Sequence, residues 1–223
     1  MTEQIRRVAV WGGWLRLAHW CLAGSTLLLL ATGWLIAGSP AVAQSAADIH
    51  YLGAGVLVFA LALRILLGLF GNGAERFEHL LPRASEFAAM RASLLFYLSL
   101  GRAPLPNWFA HNPLWKPLYL FLFTLLALAV VSGWLMPDTA LIGRLYLPRV
   151  HAWLADAIGL LTLAHLYSVV LQDVKGQGAD ISGMFSGNRY FGVDRGSVVR
   201  HEGPPVSIRP DAIGGLPSSK GQR

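Results

Sequence analysis

The sequence has few cysteines and few charged residues for its length. Cys21 is the only cysteine among 223 residues, so no disulfide can form within the chain. Charged residues make up 13% of the composition and hydrophobic residues 54%, which excludes an ordinary soluble domain. The basic residues are scattered among loops without a binding motif, which argues against nucleic acid as a partner. The composition therefore predicts a membrane protein.

Four apolar runs are long enough to cross a hydrocarbon core of ~30 Å, which takes ~20 helical residues. They cover residues 15–37, 51–70, 114–136 and 150–171. Asp48 is expected to cap the second of these helices. The predicted fold class is all-α, an integral membrane four-helix bundle whose single membrane domain covers residues 1–190. The remainder, 191–223, is rich in Gly, Pro, Ser and charge, and we expect a cytoplasmic tail that is partly disordered.

Lysine and arginine are distributed unevenly between the predicted loops. The loop 38–49 has none, whereas four lie between the second and third spans, a fifth, Lys116, lies at the start of the third, and seven follow the fourth. Since basic loops stay on the cytoplasmic side, both termini are predicted to be cytoplasmic. The net charge of +6 also favours contact with anionic lipid headgroups.

The longest loop joins the second and third spans. From residue 83 to residue 100 its apolar residues recur at helical spacing, and these are Phe87, Met90, Leu94 and Tyr97. This pattern predicts an amphipathic helix lying on the cytoplasmic surface of the membrane.

Histidines near the ends of the apolar runs form two sets at matching depths. His151 and His165 are fourteen residues apart, which on a helix is ~21 Å along the axis and ~1400° of rotation, so both project from nearly one face. Because successive spans alternate in direction, His19 lies with His165 on the cytoplasmic side. His50 lies with His151 on the periplasmic side.

A histidine inside a bilayer is costly unless it is coordinated or hydrogen-bonded, so each of these four is a candidate functional residue. Two facing imidazoles with no cysteine or carboxylate close in sequence suit the two axial positions of a haem iron, whereas zinc would need four ligands. The chain has no CxxCH motif, so such a haem would be non-covalent. The residues predict two haems, one held by His19 with His165 and one held by His50 with His151.

Three arginines are candidates for pairing with haem propionates. Arg64 lies fourteen residues after His50 and at the depth of His165. The alternative is that Arg64 extends to the lipid headgroups, and Arg16 and Arg149 have the same two interpretations.

The first and third spans end in similar sequences, ATGWL and VSGWL. His50 follows Gly33 by seventeen residues, and His151 follows Gly133 by eighteen. This echo suggests two copies of a helical hairpin. The remaining histidines lie in loops or in the tail and are interpreted as ordinary surface residues; they are His79, His111 and His201.

Several of these motifs together resemble one family. They are RLAHW at residues 16–20, TGW from Thr32, the spacing from His50 to Arg64, HNPL from His111, and the H-x13-H of the fourth span. The pattern is similar to the bacterial cytochrome b561 and nickel-iron hydrogenase b-type cytochrome subunit family, over the chain to about Tyr190. Ala110 stands where the family commonly has glycine.

The resemblance implies two non-covalent b haems with the same ligand pairs. It also implies electron exchange between membrane quinone and a redox partner, usually periplasmic, such as a hydrogenase, a related dehydrogenase or a cytochrome c. With both axial positions taken by histidine, the expected chemistry is outer-sphere electron transfer.

Two alternatives stay open from the sequence. One is a stand-alone oxidoreductase in which the periplasmic haem passes electrons from a small molecule such as superoxide to quinone. The other is a membrane protein without redox function, in which the histidines are structural.

Overall fold

The computed structural model describes residues 4–175 and 180–193, and this part of the chain is mostly helical. Its helices are α1 (Gly13–Gly38), α2 (Ala43–Phe70), α3 (Phe87–Leu98), α4 (Trp115–Leu135), α5 (Leu147–Lys175) and α6 (Asp180–Ser186). It also contains four short strands: β1 (Gln4–Ala9), β2 (Leu141–Ile142), β3 (Leu145–Tyr146) and β4 (Asn188–Val193). These strands form two antiparallel pairs, β1 with β4 and β2 with β3.

The four predicted spans correspond to α1, α2, α4 and α5, each of which is long and apolar enough to cross a membrane. Helices α1 and α2 form one hairpin, and α4 and α5 form a second, closed by β2 and β3. Aliphatic side chains from α2, α4 and α5 form the buried core, namely Leu57, Leu61, Leu125, Leu126 and Ile158. The chain is therefore a multi-pass membrane protein built from two helical hairpins.

The helices extend beyond the apolar runs that predicted them. Helix α2 begins at Ala43, ahead of Asp48, so the prediction that Asp48 caps this helix is wrong. Asp48 instead accepts a hydrogen bond from Gln44 one turn earlier, at 3.2 Å. Hydropathy marks the segment that lies in lipid, whereas a helix continues as long as its backbone hydrogen bonds are favourable.

Helix α3 lies in the long loop where a helix was predicted, but it starts at Phe87 because residues 84–86 form a 3₁₀ turn. Tyr97 fixes it to the bundle. The Tyr97 hydroxyl accepts hydrogen bonds from Asn112 at 2.5 Å and from Gln172 of α5, and its carbonyl accepts one from Tyr167 at 2.7 Å. The loop is thus anchored to the end of α5 that carries His165.

Strand β4 returns to the start of the chain and pairs with β1, from Gln4 opposite Val193 to Ala9 opposite Asn188. The predicted boundary at residue 190 falls inside this strand. Beyond Val193, the predicted tail, including His201, lies outside the described residues. Helix α6 packs on α1, where the Trp20 indole donates to the Met184 carbonyl at 3.2 Å and Arg16 donates to the Phe185 carbonyl.

Candidate haem-binding sites

The four span histidines meet in two pairs, one at each end of the bundle. The ring centroids of His50 and His151 are 6.3 Å apart, with 66° between the ring planes. The ring centroids of His19 and His165 are 6.4 Å apart, with 67° between the planes. Each pair joins one helix of the first hairpin to α5. The structure therefore brings together the same pairs that helix direction and depth predicted.

These separations fit a single metal atom between two imidazoles. A bond from imidazole nitrogen to a metal is roughly 2 Å, and a ring nitrogen lies about 1 Å from its ring centroid. Two such bonds and two ring radii span roughly 6 Å, which both pairs match. Among residues 4–175 and 180–193, no three His, Cys, Asp or Glu side chains converge as for a metal ion held by protein alone. The donor sets thus fit haem iron better than a zinc ion.

Each imidazole of the His50 and His151 pair contacts a hydroxyl from the other helix of its own hairpin. Thr32 Oγ1 on α1 lies 2.8 Å from His50 Nδ1, and Ser132 Oγ on α4 lies 2.9 Å from His151 Nδ1.

The glycine after each hydroxyl residue leaves space for the ring. A Cβ added at Gly33 would lie 3.7 Å from His50 Cε1, and one added at Gly133 would lie 3.2 Å from His151 Cε1. The echo between ATGWL and VSGWL therefore corresponds to two equivalent histidine environments.

The other pair borders a cavity of about 390 Å³, within the ~300–1,000 Å³ range of ligand sites. His19, His165, Arg64 and His111 are among the residues that line it. The His165 ring is packed edge-on against Trp115, with centroids 5.0 Å apart. Its Nδ1 is buried without a hydrogen-bond partner in the described part of the chain. An apolar cavity of this volume beside two facing imidazoles fits a missing ligand.

Of the three candidate arginines, only Arg64 lines this cavity. It is 4% exposed, donates to the Glu75 carbonyl at 2.7 Å and lies over the Phe77 ring at 4.8 Å. Arg16 is directed to α6 instead, where it binds a backbone carbonyl. Arg149 is exposed and lies over the Trp153 ring at 5.9 Å. Arg64 therefore has surroundings that suit an anion in this cavity, whereas Arg16 Nε is buried without a partner in the described part of the chain. The pairing of all three arginines with haem propionates stays a prediction.

The interpretation of His111 as an ordinary surface residue is wrong. Its Nδ1 is buried and unpartnered in the described structure, and its ring packs on Trp11 at 5.1 Å and on Tyr119 at 6.2 Å. Burial, reinforced by the charges of Arg64 and Lys116 and by His79, lowers the pKa of His111 to about 3. His111 is therefore neutral at physiological pH. His79, in contrast, lies on the surface beside Glu78, as predicted.

Sequence reasoning missed the two hydroxyl residues. Thr32 and Ser132 precede the repeated Gly-Trp pair, so the repeat that drew attention to the glycines also contained the hydroxyls. The signal was present, but a lone Thr or Ser in an apolar span more often bonds its own helix backbone.

The comparison with protein families decides the assignment of the chain. The family model for prokaryotic cytochrome b561 matches residues 10–187, most of the sequence. The chain belongs to the prokaryotic cytochrome b561 family. It is therefore a membrane cytochrome of a b-type family, for which haem b is the implied cofactor and electron transport the implied role.

Two curated relatives cover most of this cytochrome. The probable Ni/Fe-hydrogenase B-type cytochrome subunit of Bradyrhizobium diazoefficiens is 28% identical over 206 residues, 79% of this chain and 83% of the relative. The protein of the same name from Cupriavidus necator is 22% identical over 219 residues, 85% of this chain and 89% of the relative. No solved structure matches significantly.

Proposed function

We propose that this cytochrome binds two haems b and passes electrons between membrane quinone and a redox partner. One haem is held by His19 and His165 and the other by His50 and His151. The observation that carries this proposal is the spacing of both pairs, 6.4 Å and 6.3 Å between ring centroids, at the two ends of one helix. The ~21 Å between His151 and His165 along α5 sets the two haems near opposite membrane surfaces.

A haem held by two of these histidines would supply one-electron transfer and would leave no position for a substrate. The chain's own residues hold and insulate it. The apolar core of α2, α4 and α5 keeps water from the space between the pairs, and Arg64 lies at the cavity where it can neutralise a propionate. This arrangement favours an electron-transfer subunit over an enzyme with its own substrate site.

The proposed orientation has both termini in the cytoplasm of a bacterium, with the protein in the inner membrane. It rests on the basic residues between α2 and α4 and after α5, compared with the basic-free loop 38–49. In this orientation α3 lies at the cytoplasmic surface. Its Phe87 and Leu98 side chains are 65% and 73% exposed, which suits contact with lipid.

The redox partner is proposed to be periplasmic, a hydrogenase or a related dehydrogenase. Both curated relatives carry hydrogenase subunit names. The hairpin of β2 and β3, on the same side as His50 and His151, exposes four apolar side chains, Leu141, Ile142, Leu145 and Tyr146. A cluster of this kind outside the membrane segment is typical of a protein interface.

Purification of the tagged chain from its native membrane tests the partner. We expect a dehydrogenase subunit to accompany the wild-type chain and to be lost from Leu145→Asp, while haem content stays the same. Leu81→Asp, an exposed apolar residue of the loop between α2 and α4, is the matched control and should retain the partner. A chain that purifies alone and fully active would contradict the subunit proposal.

The quinone reaction is tested separately in proteoliposomes. Addition of a reduced quinone should reduce the haems of the purified wild-type chain, observed as the sharpening of the visible absorption bands. If dithionite reduces the haems but reduced quinone does not, the proposed electron exchange with quinone is contradicted.

A further inference from the structure

Thr32 and Ser132 bind the His50 and His151 rings in the same way from two different helices. The hydroxyl-to-Nδ1 distances are 2.8 and 2.9 Å, and the two residues are only 4% and 5% exposed. A hydrogen bond in such a site is shielded from water, so its direction matters to both partners.

The hydroxyl proton of each residue is already engaged. Thr32 Oγ1 donates to the Leu28 carbonyl at 2.7 Å, and Ser132 Oγ donates to the Ala129 carbonyl at 3.0 Å. A hydroxyl has one proton to donate and two lone pairs. A ring that binds iron through Nε2 carries its proton on Nδ1, and the hydroxyl, with its own proton directed to the carbonyl, accepts that Nδ1–H. Both rings are thus held with Nδ1 protonated, which leaves the Nε2 lone pair for a metal.

We infer that Thr32 and Ser132 are positioning residues that hold His50 and His151 in the Nδ1–H tautomer, make both ligands more basic and thereby lower the reduction potential of one haem only. This inference rests on the proposed pairing of His50 with His151 on a haem. Hydrogen bonding from the far nitrogen of a ligating imidazole raises its basicity, and a more basic ligand favours the oxidised metal.

In the other pair, His19 with His165, the α5 histidine has no equivalent hydrogen bond at Nδ1 in the described part of the chain. His165 Nδ1 is buried without a partner among the described residues. Its surroundings are the rings of Trp115 and Tyr119, with centroids at 5.0 and 5.8 Å. The two haems therefore differ in ligand basicity although all four axial ligands are histidine, and the chain can separate their potentials by this means.

The test is a redox titration of the purified full-length cytochrome, followed by visible absorption, for the wild type, Thr32→Val and Ser132→Ala. We expect both variants to raise the potential of the same one of two waves. Each should lower the oxidised-to-reduced ratio at a fixed potential roughly 2- to 10-fold, the equivalent of one hydrogen bond. Thr32→Ser and Ser132→Thr, which keep the hydroxyl, should restore the wild-type wave.

Two hydroxyls on the same helices serve as controls. Ser25 of α1 donates to the Cys21 carbonyl at 2.6 Å, and Thr124 of α4 donates to the Leu120 carbonyl at 3.0 Å. Within residues 4–175 and 180–193, neither side chain lines the cavity or has a hydrogen bond to a histidine. Ser25→Ala and Thr124→Val should therefore leave both waves in place.

The outcomes separate this inference from the proposal beneath it. If Thr32→Val and Ser132→Ala leave the potentials of both waves unchanged, or lower them, the inference is overturned and the two-haem proposal stays intact. If Thr32→Val shifts the potential of one wave and Ser132→Ala shifts that of the other, the pairing of His50 with His151 is overturned. A wild-type protein without haem would overturn both.

Discussion

Replacing His165 by alanine tests the pairing of the histidines. The change removes one of two imidazoles whose centroids are 6.4 Å apart, and leaves His19 as the sole predicted ligand on that side. The nearest ring, that of Trp115 at 5.0 Å, cannot substitute, because an indole nitrogen only donates. We therefore expect the haem content to fall from two per chain to one.

The assay is haem quantification per chain by the pyridine haemochrome method, together with a redox titration. His19→Ala should remove the same wave as His165→Ala, whereas His151→Ala should remove the other. His79→Ala is the control, because that side chain is 44% exposed in a loop and should leave both haems bound. The helical circular dichroism of each variant reports whether the bundle is intact.

The pairing is refuted if a well-folded His165→Ala protein keeps both haems. It is equally refuted if His19→Ala and His165→Ala remove different waves, since two ligands of one iron must act on one wave. Loss of both haems from a folded variant would indicate one shared site in place of two.

Two further predictions concern pH and packing. Because the pKa of His111 is about 3 in the folded chain against 6.5 unfolded, only the unfolded state gains a proton between pH 6.5 and about 3. The free energy of unfolding should therefore fall by up to about 1.4 kcal/mol per pH unit within that range alone, and His111→Leu should flatten that slope in thermal melts, which an unchanged slope would contradict. At Gly68 an added Cβ would lie 2.2 Å from the Phe77 ring, so Gly68→Ala should destabilise by about 1–3 kcal/mol. Gly55→Ala, where nothing lies within 4 Å, should not lower the melting temperature; equal melting of the two variants would be evidence against this packing.

The spans and the histidine pairs followed from the sequence because lipid imposes strong constraints. A membrane span must be apolar over ~20 residues, and a histidine within it is costly unless it has a partner. Fixed helical rise then placed His151 and His165 at two depths without any knowledge of packing. The same reasoning could not place the end of a helix, as α2 shows, since residues 43–50 are helical without being apolar.

Features that depend on distant parts of the chain could not be predicted. The pairing of β1 with β4 joins residues 179 to 189 positions apart, and neither strand has a strong local signature. His111 looked like a loop residue, because its enclosure depends on Trp11, which is 100 positions away in the sequence, and on how the loop packs against Tyr119 of α4. The direction of the hydrogen bonds at Thr32 and Ser132 likewise required the positions of backbone carbonyls.

The number of haems per chain tests the account most directly. The measurement is a pyridine haemochrome determination on the detergent-purified wild-type protein, combined with a reduced-minus-oxidised visible spectrum. The two histidine pairs predict two b haems per chain with low-spin bands. A single haem would contradict one of the pairs, and a colourless protein would show that these histidines hold no haem.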